Sequence, residues 1–261
     1  VAQEIDPAYG GPERSFAEII ATVEELFRAD AGLGLAIVSQ SFGTDILQEF
    51  GSEEQKETFL SAVARGDKRT GMAITEPDTG SDLAGMETTA RRDGDEWVIN
   101  GEKQWIGNGV SADYITVYAR TEDTDDRHGN HSLFLVPTDA PGYEAESMHD
   151  KMVYLASEQA EITFDDCRIP AENVVGERGD GFRMVAEFFN TGRVRVAAHG
   201  IGLAAAAIEE AWSFVHGREE FGRQVSDFQS VQHDLAEMRT EFESARALLW
   251  QAVEHVDADE D

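Results

Sequence analysis

From residue 181 to residue 255 the chain keeps a helical period with one interruption, and this narrows the possible folds more than any other feature of the sequence. The first stretch carries Phe182, Val185, Phe188 and Phe189, then a face of small residues: Ala197, Ala198, Gly200, Gly202 and Ala204 to Ala207. Small side chains on one face let a second helix approach closely, and Gly217 is placed to end the helix. The second stretch, 228–255, spaces Phe228, Val231, Leu235, Met238, Phe242, Ala245 and Leu249 at threes and fours. Two such helices predict a bundle, and one hairpin of helices cannot bury both apolar faces alone. Further helices are expected from additional sequence or from another subunit.

The opening region reads as helical too. Residues 13–29 repeat apolar positions at Phe16, Ile19, Ile20, Val23, Leu26 and Phe27. A second helix is expected over 34–50, between Gly32 and Gly51, and Ser52-Glu53-Glu54-Gln55 has the form of a capping box that opens a third helix through about Ala64. From residue 72 the pattern changes to strands and turns. Glu96–Ile99 and Lys103–Ile106 flank Asn100-Gly101, a dipeptide that tolerates the positive φ of a type I′ turn, so a hairpin is predicted there. Residues 114–119, 132–136 and 160–164 read as further strands, closed off by Pro170 and by Gly176, Gly179 and Gly181. The fold class is therefore α+β: an N-terminal helical domain over 1–70, a middle β-barrel-like domain over 71–175 and a C-terminal helical bundle over 176–261, with both helical parts incomplete. The acidic segment 122–127 reads as a solvated turn.

Charge is what departs from the ordinary. Lys+Arg number 21 and Asp+Glu 52, a net −31 spread along the whole chain, and Lys56, Lys68, Lys103 and Lys151 are the only lysines. Such a surface repels itself in dilute buffer, whereas at molar salt the screening length falls to about 3 Å. The charge predicts a protein of a cell with a salt-rich interior; the alternative is a strongly acidic protein of ordinary cytosol. No basic stripe exists to neutralise nucleic-acid phosphates. The single cysteine, Cys167, cannot form an internal disulfide, and no apolar run approaches the roughly 20 residues that span a bilayer. A soluble, cytoplasmic protein is expected. A start at Val1 and a stop in Asp257–Asp261 suggest that one or both ends are cut. The seven histidines show no spacing with carboxylates or thiols that suits a metal, and His199, on the Ala/Gly helix face, reads as a core or interface residue.

Residues 72–82, MAITEPDTGSD, concentrate polar chemistry at a strand end. Met72 to Ile74 read as a buried strand, Pro77 ends the pairing, Gly80 permits a close turn, and Ser81 and Asp82 can cap a helical turn. Thr75 and Ser81 hydroxyls with free backbone N–H groups suit the carbonyls and ring nitrogens of a flat polar ligand. On the residues alone an ordinary strand, turn and cap is the favoured reading of the stretch.

Taken with four later stretches, this run resembles the acyl-CoA dehydrogenase family of flavoproteins. The chain continues in family order with 99–109 (ING-K-WI-NG), 164–182 (FDDCRIPAENVVGERGDGF), 189–204 (FNTGRVRVAAHGIGLA) and the Arg218-x-x-Phe221-Gly222 to Phe228-Gln229-x-x-Gln232 segment. The resemblance implies bound FAD, with Met72, Ile74, Thr75, Gly80, Ser81, Trp105, Ile106 and Gly107 about the flavin; on the residues alone Trp105 reads as a core aromatic. It implies that Arg218, Phe221, Phe228 and Gln229 hold the pyrophosphate and adenosine of a neighbouring subunit's FAD, a guanidinium being well shaped for phosphate. It implies acyl-CoA contacts from Ser81, Phe189, Asn190 and Arg193. Three positions depart from the family pattern. Gly107 stands where a hydroxyl residue usually bonds the flavin, Asn190 replaces a frequent Asp, and Gly192 occupies the place where some members carry their catalytic base. No catalytic residue is assigned here, and the base is expected in C-terminal sequence outside these residues. The implied activity is α,β-dehydrogenation of an acyl-CoA thioester to the trans-2-enoyl-CoA by a homo-oligomer, dimer or tetramer, with electrons passed to an electron-transfer flavoprotein. The alternatives are a non-catalytic flavin- or acyl-CoA-binding relative and an acyl-CoA oxidase.

Overall fold

The computed structural model describes residues 2–121 and 126–258, in two compact units: Val1–Glu13 with Leu35–Phe189, and Arg14–Gly34 with Asn190–Asp261. Most of the expected acidic turn, at 122–125, and the end of the acidic tail, at 259–261, lie outside the described residues.

The N-terminal helices are α1 (Phe16–Ala29), α2 (Ala31–Val38), α3 (Thr44–Phe50), α4 (Glu53–Gln55) and α5 (Ser61–Ala64), with a π-helical turn at Lys56–Leu60. Both α1 and α4 start on a capping box. The Ser52 hydroxyl accepts from Gln55 N at 3.2 Å while Ser52 N donates to Gln55 Oε1 at 3.0 Å, as the sequence predicts, and Ser15 with Glu18 repeats the device. The single helix expected over 34–50 is broken at residues 39–43. Thr70 N donates to Gln40 O at 3.3 Å and Ser41 bridges Thr70, so the chain leaves the helix to pair with the first strand, and Gly43 makes the turn at φ +88°.

Eight strands follow: β1 (Thr70–Ala73), β2 (Thr89–Asp93), β3 (Glu96–Gly107), β4 (Tyr114–Arg120), β5 (His131–Pro137), β6 (Tyr143–Ser147), β7 (Gln159–Pro170) and β8 (Val174–Val175). They run in the order β6-β7-β3-β2-β4-β5-β8, with β1 parallel to β4. Side-chain alternation on β5 sends Phe134 and Val136 into one core and Leu133 and Leu135 into another. The first core gathers Trp97 and Ile99 of β3, Val117 of β4 and Phe164 of β7, with Trp97 edge-on to Phe134 at 5.0 Å. The second sets β4 and β5 against Ile46, Leu47, Leu60, Met184 and Phe188.

The hairpin predicted at Asn100-Gly101 is not there. The two-residue turn between β2 and β3 is Gly94-Asp95, with Gly94 at φ +63°, and β3 runs straight through Asn100. Asn100 and Gly101 face a bulge in β7 instead: between the pairs Ile99–Cys167 and Gly101–Phe164, Asp165 and Asp166 stand opposite Asn100, whose carboxamide exchanges two hydrogen bonds with Asp166, and a Cβ on Gly101 would lie 2.6 Å from Thr88 Oγ1. Glycine at 101 answers to the close approach of Thr88 and to the bulge opposite rather than to a turn, which is why the dipeptide misleads.

The second unit is built on α6 (Gly181–Gly217), whose first residues belong to the first unit, followed by the short hairpin β9 (Glu219–Glu220) and β10 (Arg223–Gln224) and by α7 (Gln229–Asp257). The small-residue face of α6 receives α1: a Cβ on Gly202 would stand 2.4 Å from Glu24 O and 2.9 Å from Phe27 Cβ. His199 stacks on Phe27 at 3.8 Å, and burial pulls its imidazole down to about 4. Arg246 of α7 donates to Glu24 at 2.6 Å, and the Asp257 carboxylate accepts from Phe16 N and Ala17 N at the start of α1. Of the α7 stripe, Leu235 and Leu249 are buried, whereas Met238 and Phe242 line a groove of about 380 Å³ with Ile201, Ala204 and Ile208 of α6.

Gly202→Ala is expected to cost about 1–3 kcal/mol, because the added methyl meets backbone. Gly200, whose Cβ would meet nothing within 4 Å, should instead gain about 0.5–1 kcal/mol as alanine. Thermal unfolding of the two variants checks the contrast, and equal effects would exclude a helix contact at Gly202.

Candidate functional site

Five of the predicted flavin-edge residues lie at the end of β1 and in the loop that follows it beside β3. After Ala73 the chain continues along β3, with Gln104 N donating to Thr75 O at 2.9 Å, and then turns back at once through paired bonds between Glu76 and Thr79. Met72 and Ile74 are buried, Thr75 is half-buried at the edge, and Gly80 and Ser81 stand exposed in the loop. Asp82 precedes the 3-10 turn Leu83–Gly85 without the expected cap bond; its carboxylate pairs with Arg127 at 3.0 Å.

Under this edge lies a buried ion pair. Lys103, 1% exposed, donates to Ile74 O at 2.8 Å and to Glu76 Oε1 at 2.9 Å. Glu76 also accepts from Glu87 N at 2.6 Å and from Thr88 N at 2.8 Å. Burial alone would push the Glu76 carboxyl up, but Lys103 and the two amides hold it below the ordinary carboxylate range. Burial pulls the Lys103 ammonium down to about 8 against the opposing attraction of Glu76. The ammonium faces the Tyr118 ring at 5.9 Å, and His131 stacks on that same ring at 4.6 Å, its own basicity lowered by burial. Both carboxylate oxygens of Glu76 are engaged, Oε1 by Lys103 and Thr88 N and Oε2 by Glu87 N, so this group holds structure and is unsuited to take a proton from a substrate.

On β3 the backbone itself is bent to the purpose. Trp105 sits at φ +63°, beside the register shift between Lys103 and Ile106, and its indole is 56% exposed while Ile106 is buried. Asn108, at φ +61°, anchors the far side by donating from Nδ2 to Ser39 O at 2.6 Å and to Thr70 O at 2.9 Å. Left-handed backbone at two such residues costs roughly 1–2 kcal/mol each. Gly107 lies between these turns, and β1 is pressed so close to it that a Cβ on Gly71 would fall 2.5 Å from Gly107 O. Outward, a Cβ on Gly107 would meet only Gln159 Nε2, at 3.8 Å.

The exposed indole, the Thr75 edge and the open surface above Gly107 thus form a rim suited to one face of a flat heteroaromatic ring, and in this the residues fit the flavin that the resemblance implies. Lys103, Glu76, Asn108 and Gln159 were not foreseen as site residues. That Lys103 is one of four lysines in so acidic a chain was a usable signal for the first; the last required a strand register that the sequence does not display.

The other predicted residues fall in two places, the first turns of α6 and the hairpin that follows its far end. β9 and β10 are joined by Phe221-Gly222, both at positive φ, a two-residue turn that leaves Phe221 93% exposed. Arg218 pairs with Glu220, Phe228 lies edge-on to Phe221 at 6.3 Å, and Arg223 covers the Phe228 ring at 3.8 Å. Gln229 is exposed at the start of α7. On α6, Arg193 donates to Asn190 Oδ1 at 3.1 Å, while Phe189, half-buried, tilts against Phe188 at 5.5 Å. Gly192 is on the same helix, with nothing within 4 Å of the position a Cβ would take.

Comparison with known proteins identifies the family and the fold. Models of the acyl-CoA dehydrogenase N-terminal, middle and C-terminal domains match residues 1–67, 71–167 and 179–261. The mitochondrial short-chain specific acyl-CoA dehydrogenase of Mus musculus is 36% identical over 253 residues, 97% of this chain and 61% of the relative, so the chain spans less than two thirds of that protein's length. The crystal structure of an acyl-CoA dehydrogenase from Geobacillus kaustophilus superposes with a TM-score of 0.94 at 35% identity, covering 100% of this chain and 69% of the other. A glutaryl-CoA dehydrogenase from Mycobacterium smegmatis in complex with FADH2 gives 0.90 at 34% identity, over 97% and 64%. The fold is the three-domain one, helical, β and helical, of mixed α+β class.

Breaking the buried pair from one side leaves a charge without its partner, so Glu76→Gln and Lys103→Met are each expected to destabilise by about 3–5 kcal/mol. The double variant should lose clearly less than the sum. Denaturant unfolding of the four proteins measures the coupling, and strictly additive losses would show that the pair does not act as a unit.

Proposed function

The chain belongs to the acyl-CoA dehydrogenase family, and we propose on that footing that it catalyses the FAD-dependent α,β-dehydrogenation of an acyl-CoA thioester to the trans-2-enoyl-CoA. The observation that carries this reading is the rim of Thr75, Trp105 and Gly107, held from beneath by Lys103. When bound, FAD supplies the electron acceptor for the reaction; the chain supplies placement and electrostatics.

Thr75 offers a hydroxyl and Gly107 a peptide N–H to the polar edge of the ring, and the Trp105 indole limits where the ring lies. Ser81, in the exposed loop after Gly80, is the group assigned to the acyl-CoA side, with Phe189, Asn190 and Arg193 assigned to the CoA chain. Asn190 can accept from Arg193 without adding a second negative charge beside a phosphorylated substrate. Arg218, Phe221, Phe228 and Gln229 are assigned to the pyrophosphate and adenosine of a companion subunit's FAD. The exposed Phe221 ring and the Arg218 guanidinium on one small hairpin suit an adenine face and a phosphate. This assignment requires a homo-oligomer, dimer or tetramer. An electron-transfer flavoprotein is the electron acceptor we assign, on the family resemblance. Glu76 is excluded as the proton-abstracting base by its bonds, and no other carboxylate here is assigned that role. The division 1–70, 71–175 and 176–261 belongs to the same reading.

The charge of −31 extends it to a cytoplasm rich in salt. Among the described residues no helix is long and apolar enough to cross a membrane.

The test of the activity is anaerobic addition of a panel of acyl-CoAs to the full-length, flavin-loaded protein. Bleaching of the flavin band with release of a 2-enoyl-CoA is the expected outcome. Loading without bleaching by any thioester would leave a binding protein, and rapid reoxidation by dioxygen would identify an oxidase. The charge reading is tested by thermal unfolding in 0.1 to about 3 M KCl, where screening at the upper end reaches a few ångströms. The midpoint is expected to climb through the molar range, and a midpoint flat with salt would return the protein to ordinary cytosol.

A further inference from the structure

Gly107 is the position at which the resemblance places a hydroxyl against the flavin, and glycine has none. The strand opposite carries a substitute. Gly107 of β3 is paired in register with Gln159 of β7, so a side chain on either would project from the same face of the sheet. The one atom near the space a Cβ on Gly107 would fill is Gln159 Nε2, at 3.8 Å. The volume left open by glycine is therefore bordered by a carboxamide nitrogen, a hydrogen-bond donor in the same class as the missing hydroxyl.

The neighbours of this carboxamide are engaged elsewhere. Gln104 gives its side-chain N–H to Glu161 at 2.9 Å, and the Glu158 carboxylate accepts from Val110 N at 2.7 Å. Gln159 is tied through its backbone, its carbonyl accepting from Met148 N at 2.8 Å, and among the described residues its carboxamide has no hydrogen-bond partner. Half-buried on the rim, it keeps both amide hydrogens available to a ligand. Its length also suits the task, because a donor on β7 must cross the 4.5–5.5 Å that separates paired residues on adjacent strands.

We propose that the Gln159 carboxamide donates to the polar edge of the bound flavin, taking over the contact that a hydroxyl at position 107 would make. This rests on the FAD reading above and adds a positioning residue that tunes the cofactor. A donor at that edge stabilises the more electron-rich, reduced ring over the oxidised one, so its loss lowers the reduction potential.

The experiment uses the full-length protein, with FAD affinity from fluorescence quenching, the flavin absorption band, and the midpoint potential from reductive titration. Gln159→Ala is expected to keep FAD but to shift the oxidised-to-reduced equilibrium about tenfold, about 30 mV for a two-electron couple, with a displaced absorption band. Adding Gly107→Ser to that variant should recover most of the shift, since the hydroxyl enters the space the structure leaves open. If Gln159→Ala misfolds by circular dichroism, Gln159→Met, similar in length and without a donor, gives the same readings. A Gln159→Ala protein that binds FAD with the wild-type potential and band overturns the proposal, and so does a shift that Gly107→Ser leaves uncorrected. A wild-type protein that takes up no FAD overturns the parent reading and this inference with it, a result distinct from both.

Discussion

The contact between Lys103 and Glu76 is the constraint on which the rest of the first unit depends. It joins the end of β1 to β3 through one ammonium that binds a main-chain carbonyl and a carboxylate at once. Removing two charges from water costs several kcal/mol per ion, recovered only where geometry is good and all remaining bonds are made. Here Glu87 N and Thr88 N complete the carboxylate. A hydrophobic pair of equal volume could match such an arrangement in stability, but it could not dictate which carbonyl and which turn meet. The pair therefore acts chiefly on position: with Ile74 O fixed from behind, Thr75 has its place on the outer edge.

The same logic governs the backbone of β3. Trp105 and Asn108 hold left-handed conformations that no isolated strand would choose, and the buried Asn108 carboxamide offsets part of that cost with bonds to Ser39 O and Thr70 O. Once the turn is fixed, the indole projects outward, and β3 rejoins β7 at Ile106 and Gly107. A rim made in this way is preorganised, since its strain is taken up in folding rather than when a ligand arrives.

What could be read from the sequence and what could not differ in physical kind. Periodicity exposed α1, α6 and α7, and the Ser52–Gln55 capping box marked α4, because each depends on neighbours three or four residues apart. The break at 39–43 escaped because its cause, a bond from Thr70 to Gln40, joins residues distant in sequence. Asn100-Gly101 misled because glycine there makes room for Thr88 opposite a bulge in β7 rather than for a hairpin, while Gly94-Asp95 a few residues earlier made the turn. The motif residues at 72–82 were visible as composition. Their support from Lys103, and the facing of Gln159 with Gly107, exist only once strands are in register. The stripe on α7 was legible as apolar, yet Met238 and Phe242 are found lining a groove rather than a closed core, since periodicity specifies a face and not its cover.

Charge separates the molecule into two electrostatic regimes. With 52 acidic and 21 basic residues, most surface carboxylates cannot have a cation of their own, and several arginines serve two acids. Arg28 lies between Glu25 and Glu209, Arg168 between Asp93 and Glu96, and Arg183 between Asp180 and Glu187, all with substantial exposure. These pairs weaken as salt rises, but so does the larger repulsion among the unpaired carboxylates, and the second effect dominates where acids outnumber bases so heavily. Lys103 and Glu76 stand outside that exchange, because dissolved ions do not reach a pair this deeply buried. Salt thus acts on the shell of the protein and leaves the support of the rim as it is, which lets a strongly charged surface coexist with a binding edge of fixed shape.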